Sequence, residues 1–436
     1  MRTKMTTELF EKRVRLIVWK ELAQEISNLE RLAFLKKEQT KMTWIDAVVE
    51  ANSENEAPAK FFYWSAMASI SAVVRKNVFL DRFYYKLYPN IYVFLIAKSG
   101  MKKGVPVTLA RNLVTKAGTS RIISGRNSMQ RIVQDLGKAF SLENGGVIKD
   151  AQGFLVSGEL AAFLVKDPDA LTILTDLHDT HAYEDVWTNS LKGTGVDKLR
   201  SPCLTLLGAT NEDHFAEAVP QNAIGGGFIA RTFIVFSLEK GKLNSLTEAP
   251  TKIVDTSYLS EYLKEVAKMK GEFQWTTASK KTYDKWYYSF MASDANDPTG
   301  TMNRIGDQIL KVAMLISMAQ EPDLILKESH VLEAIDVSTA CLAGMQQVTM
   351  GAGKSNLAFQ TKIVMRELLQ QKEHKISRQK LLQKYWGEFD GFDLDRIIET
   401  LIGAGAVKLG PDPKQPLYIL KDEALNIYTK ALQGIQ

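Results

Sequence analysis

Two short stretches of the chain carry residue types that bind phosphate. Residues 351–355 read GAGKS, the tail of the loop G-x-x-x-x-G-K-[ST], whose backbone N–H groups and lysine cradle nucleotide phosphates. Residues 97–104 read AKSGMKKG. Such a loop works only in context. A strand must deliver the chain into a tight turn and a helix must start directly after it, so that N–H groups and the helix N-terminus face the anion. GAGKS follows a helical pattern over 331–348, and the first glycine of the spacing would fall at Val348. A Gly/Ser stretch between two helical regions reads as a linker. AKSGMKKG follows the apolar run IYVFLIA (91–97) and precedes helical text. On the motif's spacing Ala97 and Lys102 take the two glycine positions, Lys103 is the lysine, and Gly104 replaces the hydroxyl residue that ligands Mg²⁺. The expected nucleotide contacts are Ser99, Gly100, Met101, Lys102, Lys103, Gly104 and Val105, with the basic turn between strand and helix as the plain alternative.

Three further residues stand at strand ends in the order such chemistry needs. QGFLVSGE delivers Glu159, a carboxylate able to polarise an attacking water. Gly158 sits where an Asp would hold the metal, and Asp150, Asp176 and Asp179 remain as substitutes among which the sequence does not choose. CLTLLGATNED ends on Asn211, an amide able to orient water. GGGFIARTFIVF sets Arg231 after a glycine cluster, as a cation able to reach a neighbouring subunit's phosphate. Each has a plain alternative: a solvated end residue, an Asn cap, a strand-flanking Arg.

These residues need a parallel sheet to hold them. The apolar runs 91–97, 153–159, 203–211 and 231–239 alternate with helical text, the pattern of an α/β fold with a sheet covered on both faces. Residues 1–57 read as an N-terminal helical region, with Val18, Leu22, Ile26, Leu29, Leu32 and Leu35 at helical steps. Residues 58–350 read as the core with a helical lid, 351–356 as the linker, and 357–436 as three helices and a β-wing, a winged helix-turn-helix. The net charge of +5 over 436 residues tilts only mildly toward an anionic partner. Two unclustered cysteines argue against a disulfide framework and a structural zinc site, and no side chain is singled out as a metal ligand. The apolar runs are too short to span a bilayer, and the opening residues lack a signal-peptide core, so a cytoplasmic protein is expected.

In order and spacing, LYPNIYVFLIAKSGMKKGVPVTLARNLV, GFLVSGELAAFL, SPCLTLLGATNEDHFAEAV and GGGFIARTFIVF resemble a family of AAA+ P-loop ATPases of phages and mobile elements, itself similar to the minichromosome-maintenance replicative helicases. The resemblance covers roughly 58–345. It implies an AAA+ core using ATP and Mg²⁺, assembled as a homo-oligomeric ring, a hexamer by that likeness. Lys103 would then be the loop lysine, Glu159 the catalytic glutamate, Asn211 the first sensor and Arg231 the finger acting in trans. A second sensor would come from Arg304 or Lys311, seven residues apart and able to share a helix face. The missing hydroxyl and Asp bear on hydrolysis more than on binding.

The partner implied is DNA, single-stranded or forked, held by its backbone. Residues 183–202 read as a β-hairpin with Lys192 at the tip and Lys198 and Arg200 behind it, and lysine–phosphate contacts are blind to sequence, as a translocating motor requires. In the C-terminal region the recognition-position helix carries Asp393, Asp395 and Glu399 against Arg396, so protein contact competes with DNA contact there. Two other readings remain open at this stage. One is an ATP-binding loader or scaffold that hydrolyses poorly. The other is a winged-helix DNA-binding regulator with a relic loop.

Overall fold

The computed structural model describes residues 42–421, except 126–127, 143–145, 160–163, 166, 168, 180–184, 192–194, 220–226, 246–256, 293–299, 352–356, 372 and 413–415. The chain divides into two units, Met1–Val348 and Thr349–Gln436.

In the first unit a five-stranded sheet forms from β1 (Tyr92–Ala97), β2 (Ile122–Ile123), β3 (Gln152–Ser157), β4 (Cys203–Thr210) and β5 (Thr232–Ser237). Its order is β5-β1-β4-β3-β2, with every pairing parallel. The four longer strands match the apolar runs of the sequence. The two-residue β2 does not stand out there, because it is strand only by virtue of its pairing with Phe154 and Leu155.

β1 is buried along its whole length, and its alternate side chains serve two cores. Val93, Leu95 and Ala97 face one core with α1 (Ala59–Val74), α2 (Gly104–Ala117), α6 (Ser257–Lys268) and α7 (Thr301–Gln320). Tyr92, Phe94 and Ile96 face the other, with α3 (Met129–Leu136), α4 (Ala170–His178) and α5 (Glu212–Ala218). Each fully buried aromatic or aliphatic side chain contributes roughly 1.5–3 kcal/mol. The helix Trp44–Ala51 belongs to the same core. Trp44 donates from Nε1 to the Leu259 carbonyl at 3.1 Å and stacks on Tyr262, so the boundary expected at residue 57 falls inside this unit. A hairpin of Val78–Asp81 and Lys86–Leu87 braces α7, with the Tyr85 hydroxyl donating to Asp307 at 2.6 Å. Among the described residues no helix is long and apolar enough to cross a membrane.

The second unit contains α8 (Ala358–Gln370), β6 (Lys375–Ser377), α9 (Arg378–Tyr385), α10 (Gly391–Gly403), β7 (Val407–Leu409) and β8 (Leu417–Leu420). The strands form an antiparallel sheet in the order β6-β8-β7. The three helices and the last two strands fall on the helical and strand-like stretches of the sequence. β6 is a third strand, too short to read without its partner. Ser377 and Asp390 cap the second and third helices through their side-chain oxygens. Glu367, 1% exposed, accepts hydrogen bonds from Gln371, Lys384 and Tyr385.

Candidate functional site

The strand order reverses once among the described strands. After β1 the chain crosses to β2 at the far edge and returns through β3 to β4. After β4 it passes β1 to reach β5. The neighbours β1 and β4 therefore send the chain off in opposite directions, and the helices that follow them, α2 and α5, lie on opposite faces. Ligands of open α/β sheets bind beyond the strand C-termini at such a switch point.

The loop 98–103 lies there. Met101 is buried and anchors it, while Lys98, Ser99, Gly100 and Lys102 are exposed. Gly100 and Lys102 take left-handed backbone conformations, with φ of 83° and 53°. Lys102 occupies the second glycine position of the motif, so the glycine letter is gone while the conformation it serves is kept. A lysine there costs about 1 kcal/mol. Lys103 leads into α2, and its ammonium donates to the carbonyls of Ala97 at 2.7 Å and Lys98 at 2.9 Å. Burial lowers its pKa, and the charge of Glu159 opposes that shift. Pro106 stands in the first turn of α2, where a missing N–H costs no helical bond, and no acidic side chain covers that end of the helix dipole.

Glu159 and Asn211 share this edge. Ser157 is level with Gly208 and Ile96 with Thr210, so the residues beyond those strands continue in one rank with Ala97. Glu159 is exposed on a turn, its N–H on the Ser157 hydroxyl at 3.2 Å. The Asn211 side chain accepts the His214 N–H at 2.8 Å and caps α5, as its plain alternative has it. Gly104 and Gly158 stand in open space. The loop suits phosphate: Lys103, exposed backbone and an uncovered helix start converge on it. Mg²⁺ fits less well, because neither glycine supplies an oxygen ligand. The three candidate substitutes are engaged elsewhere. Asp150 pairs with Arg200 at 3.5 Å, Asp176 accepts from Trp187, and Asp179 holds Arg231. Among the described residues no group of three or more His, Cys, Asp or Glu could hold a metal ion.

Arg231, Arg304 and Lys311 lie away from this loop. Arg231 closes a short 3-10 turn before β5, level with the start of β1, roughly 20 Å down the strands from Ala97. It is 6% exposed. Its Nε donates to Asp179 at 2.8 Å, its Nη2 donates to the other oxygen of Asp179, and its Nη1 donates to the Gly227 carbonyl at 2.7 Å. Arg304 Nη1 reaches the same carboxylate at 3.3 Å. Lys311 is buried, donating to the Asn90 carbonyl at 3.1 Å, to Asn90 Oδ1 at 2.9 Å and toward His178 Nε2 at 3.4 Å. Arg304 and Lys311 do share a face of α7, as their spacing predicts, and that face meets the N-terminal edge of the sheet.

The network has one consistent proton arrangement. His178 Nδ1 lies 3.0 Å from Asp179, and with its proton there Nε2 is free to accept from Lys311. Burial first, and then the charge of Lys311, lower the His178 pKa to about 3, so the ring is neutral. Burial lowers Lys311 to about 8. Burial pushes the Asp179 carboxyl up, but hydrogen bonds from His178 and Arg231 outweigh it and hold the group well below the usual carboxylate range. Asn90, which also donates to the His178 carbonyl, and His178 itself carry no motif in the sequence. Their only signal is polar character beside apolar runs.

The expected hairpin is present as Val186–Leu191 and Gly195–Arg200, antiparallel, with its base beside Ala151 at this same N-terminal edge. Lys198 and Arg200 are exposed. Lys192 lies outside the described residues. The helix Glu328–Gly351 runs into GAGKS, so those letters follow a helix and not a strand, and 352–356 lie outside the described residues. Compared with known proteins, the chain matches no family model and no curated protein.

Proposed function

We propose that the chain is an ATP-dependent motor of the AAA+ type that assembles as a ring, a hexamer by its resemblance, and moves along DNA in the replication of a phage or mobile element. The observation that carries this reading is the meeting of Lys103, Glu159 and Asn211 at the sheet's one switch point. Backbone N–H groups of 99–104 and the Lys103 ammonium would hold the phosphates, the Val105 N–H being taken by the Lys102 carbonyl at 3.0 Å, and Glu159 would take the proton of the attacking water. ATP brings the phosphoanhydride to be cleaved. By the resemblance the finger acting in trans is Arg231, but its guanidinium is buried on Asp179 and the Gly227 carbonyl, and Arg304 is the exposed cation of that edge. The hairpin strands carrying Lys198 and Arg200 suit a DNA backbone. The second unit is read as a winged helix. Its helix α10 carries acidic side chains and Asp395 is tied to Arg378 at 2.9 Å, while Trp386 and Phe392 are 82% and 79% exposed, which favours protein contact over base reading.

Turnover of MgATP by the full chain, with and without single-stranded DNA, tests this. DNA-stimulated hydrolysis that vanishes in Lys103→Ala is the expected result. Hydrolysis and nucleotide binding indifferent to that change would sink the reading. One observation favours a second reading, a loader or scaffold that binds ATP and hydrolyses it poorly. Gly104 and Gly158 provide no metal ligand, and Asp150, Asp176 and Asp179 are all committed elsewhere. Tight ATP binding without DNA-stimulated turnover would decide for it.

A further inference from the structure

Resting on the reading of residues 98–103 as a phosphate loop, the geometry points to a nucleoside triphosphate held there without a divalent cation. The ammonium groups of Lys98 and Lys102 take over the charge neutralisation that magnesium would otherwise supply. Too few oxygens stand at the loop for the metal, and two lysines stand there beyond the one that the motif uses.

The oxygens come first. Magnesium demands near-octahedral coordination and is usually bound through one or two carboxylates together with the substrate's phosphates. Gly104 and Gly158 hold the places of the hydroxyl and the carboxylate, and no neighbouring group reaches the space that a side chain would fill at either. Asp150, Asp176 and Asp179 are engaged with Arg200, Trp187 and Arg231. Glu212 and Asp213 open α5, on the face of the sheet opposite α2. That leaves Glu159, and its charge already acts on the Lys103 ammonium.

The cations are placed around the loop. Lys103 donates to the carbonyls of Ala97 and Lys98, which draws the start and the end of the loop together. Lys98 and Lys102 stand at those two ends, both exposed, with exposed Ser99 and Gly100 between them. Among the described residues neither ammonium has an ion-pair partner. Lys102 is also held against its own preference. Its φ of 53° is a conformation that glycine adopts freely, so a glycine here would avoid the strain. Strain of this kind clusters at ligand clamps. A lysine ammonium is a compact point charge on a flexible stem, able to reach more than one phosphate oxygen. A triphosphate without its metal carries more negative charge than its metal complex. Unpaired ammonium groups beside exposed N–H groups complement that charge.

The test is a calorimetric titration of ATP into the full chain, once in excess EDTA and once in excess magnesium. Wild type should bind ATP in EDTA within about threefold of its affinity in magnesium. Lys102→Gly and Lys98→Ala should each lower the EDTA affinity about tenfold and the magnesium affinity less, because magnesium then covers the same phosphate charge. Lys102→Arg should recover most of the loss, as an effect of charge requires and an effect of backbone strain does not. The converse change, Gly104→Ser with Gly158→Asp, fits the open space at both glycines and should make magnesium tighten ATP binding about tenfold. A wild-type affinity more than about threefold weaker in EDTA overturns the inference, and so does a Lys102→Gly protein whose EDTA affinity is unchanged. Both results leave Lys103-dependent ATP binding in place. Loss of the underlying reading looks different: no ATP binding then depends on Lys103 under either condition.

Discussion

The two edges of the five-stranded sheet are built on opposite terms. At the C-terminal edge the side chains are small or exposed: Gly100, Gly104 and Gly158 stand in open space, and Glu159 faces solvent. At the N-terminal edge Arg231, Lys311 and His178 are buried and joined through Asp179 and Asn90. The first edge ties its polar groups only to nearby loop and helix backbone, Lys103 to the carbonyls of Ala97 and Lys98 and Asn211 to the N–H of His214. The second satisfies its polar groups internally and leaves mainly Arg304 in the open. Removing a charge should therefore affect binding at one edge and folding at the other.

The largest effect expected is on the folding side. Asp179→Ala strands the buried Arg231 guanidinium and the His178 N–H, and should cost about 3–5 kcal/mol in denaturant unfolding. Glu159→Ala, on the exposed edge, should stay within about 0.5 kcal/mol. Equal losses from the two changes would erase the distinction between the edges. Next in size is binding. Lys103→Ala removes a charged hydrogen-bond donor worth about 1.5–3 kcal/mol, so ATP affinity in a direct titration should fall roughly 10- to 100-fold with the fold intact. Lys354→Ala, in GAGKS, should leave that affinity unchanged, and a comparable loss there would move the site.

The pH response comes third. His178 titrates at about 3 in the folded chain against 6.5 for an unperturbed histidine, so between those values the unfolded chain binds the extra proton. Stability should thus be intact above pH 6.5 and fall as pH drops toward 3, by up to about 1.4 kcal/mol per pH unit for this one group. Asp179, its own pKa depressed, adds loss in the same direction below the usual carboxylate range. Thermal unfolding across pH 4–7 of His178→Gln against wild type reads the difference, and an unchanged slope would remove His178 from the network. The smallest effect is a gain. Lys102→Gly relieves a left-handed lysine at φ 53° and should stabilise the loop edge by about 1 kcal/mol, read from the unfolding midpoint. A loss there would mean that the Lys102 side chain makes up for the backbone strain.

Local sequence pattern is enough to place the strands that read as unbroken apolar runs, the helix directly after residue 103, and thereby Lys103, Glu159 and Asn211 at strand ends. These are local facts: an apolar run long enough to be buried on both faces declares itself, and the residue that follows it must stand at the sheet's edge. It also separated GAGKS from AKSGMKKG, because strand–turn–helix context is written in neighbouring residues. The rest depends on contacts between distant parts of the chain. β2 and β6 become strands through partners far along the chain. The left-handed Lys102 hides a glycine position behind a lysine letter. Arg231, Asp179, Arg304 and Lys311 span 133 positions between His178 and Lys311 alone, and nothing in the spacing of the letters brings them to one carboxylate. Burial does that. Groups buried by the packing of α4, α7 and β5 on the same sheet edge must satisfy one another, since each unpaired charge would cost more than the fold can spare.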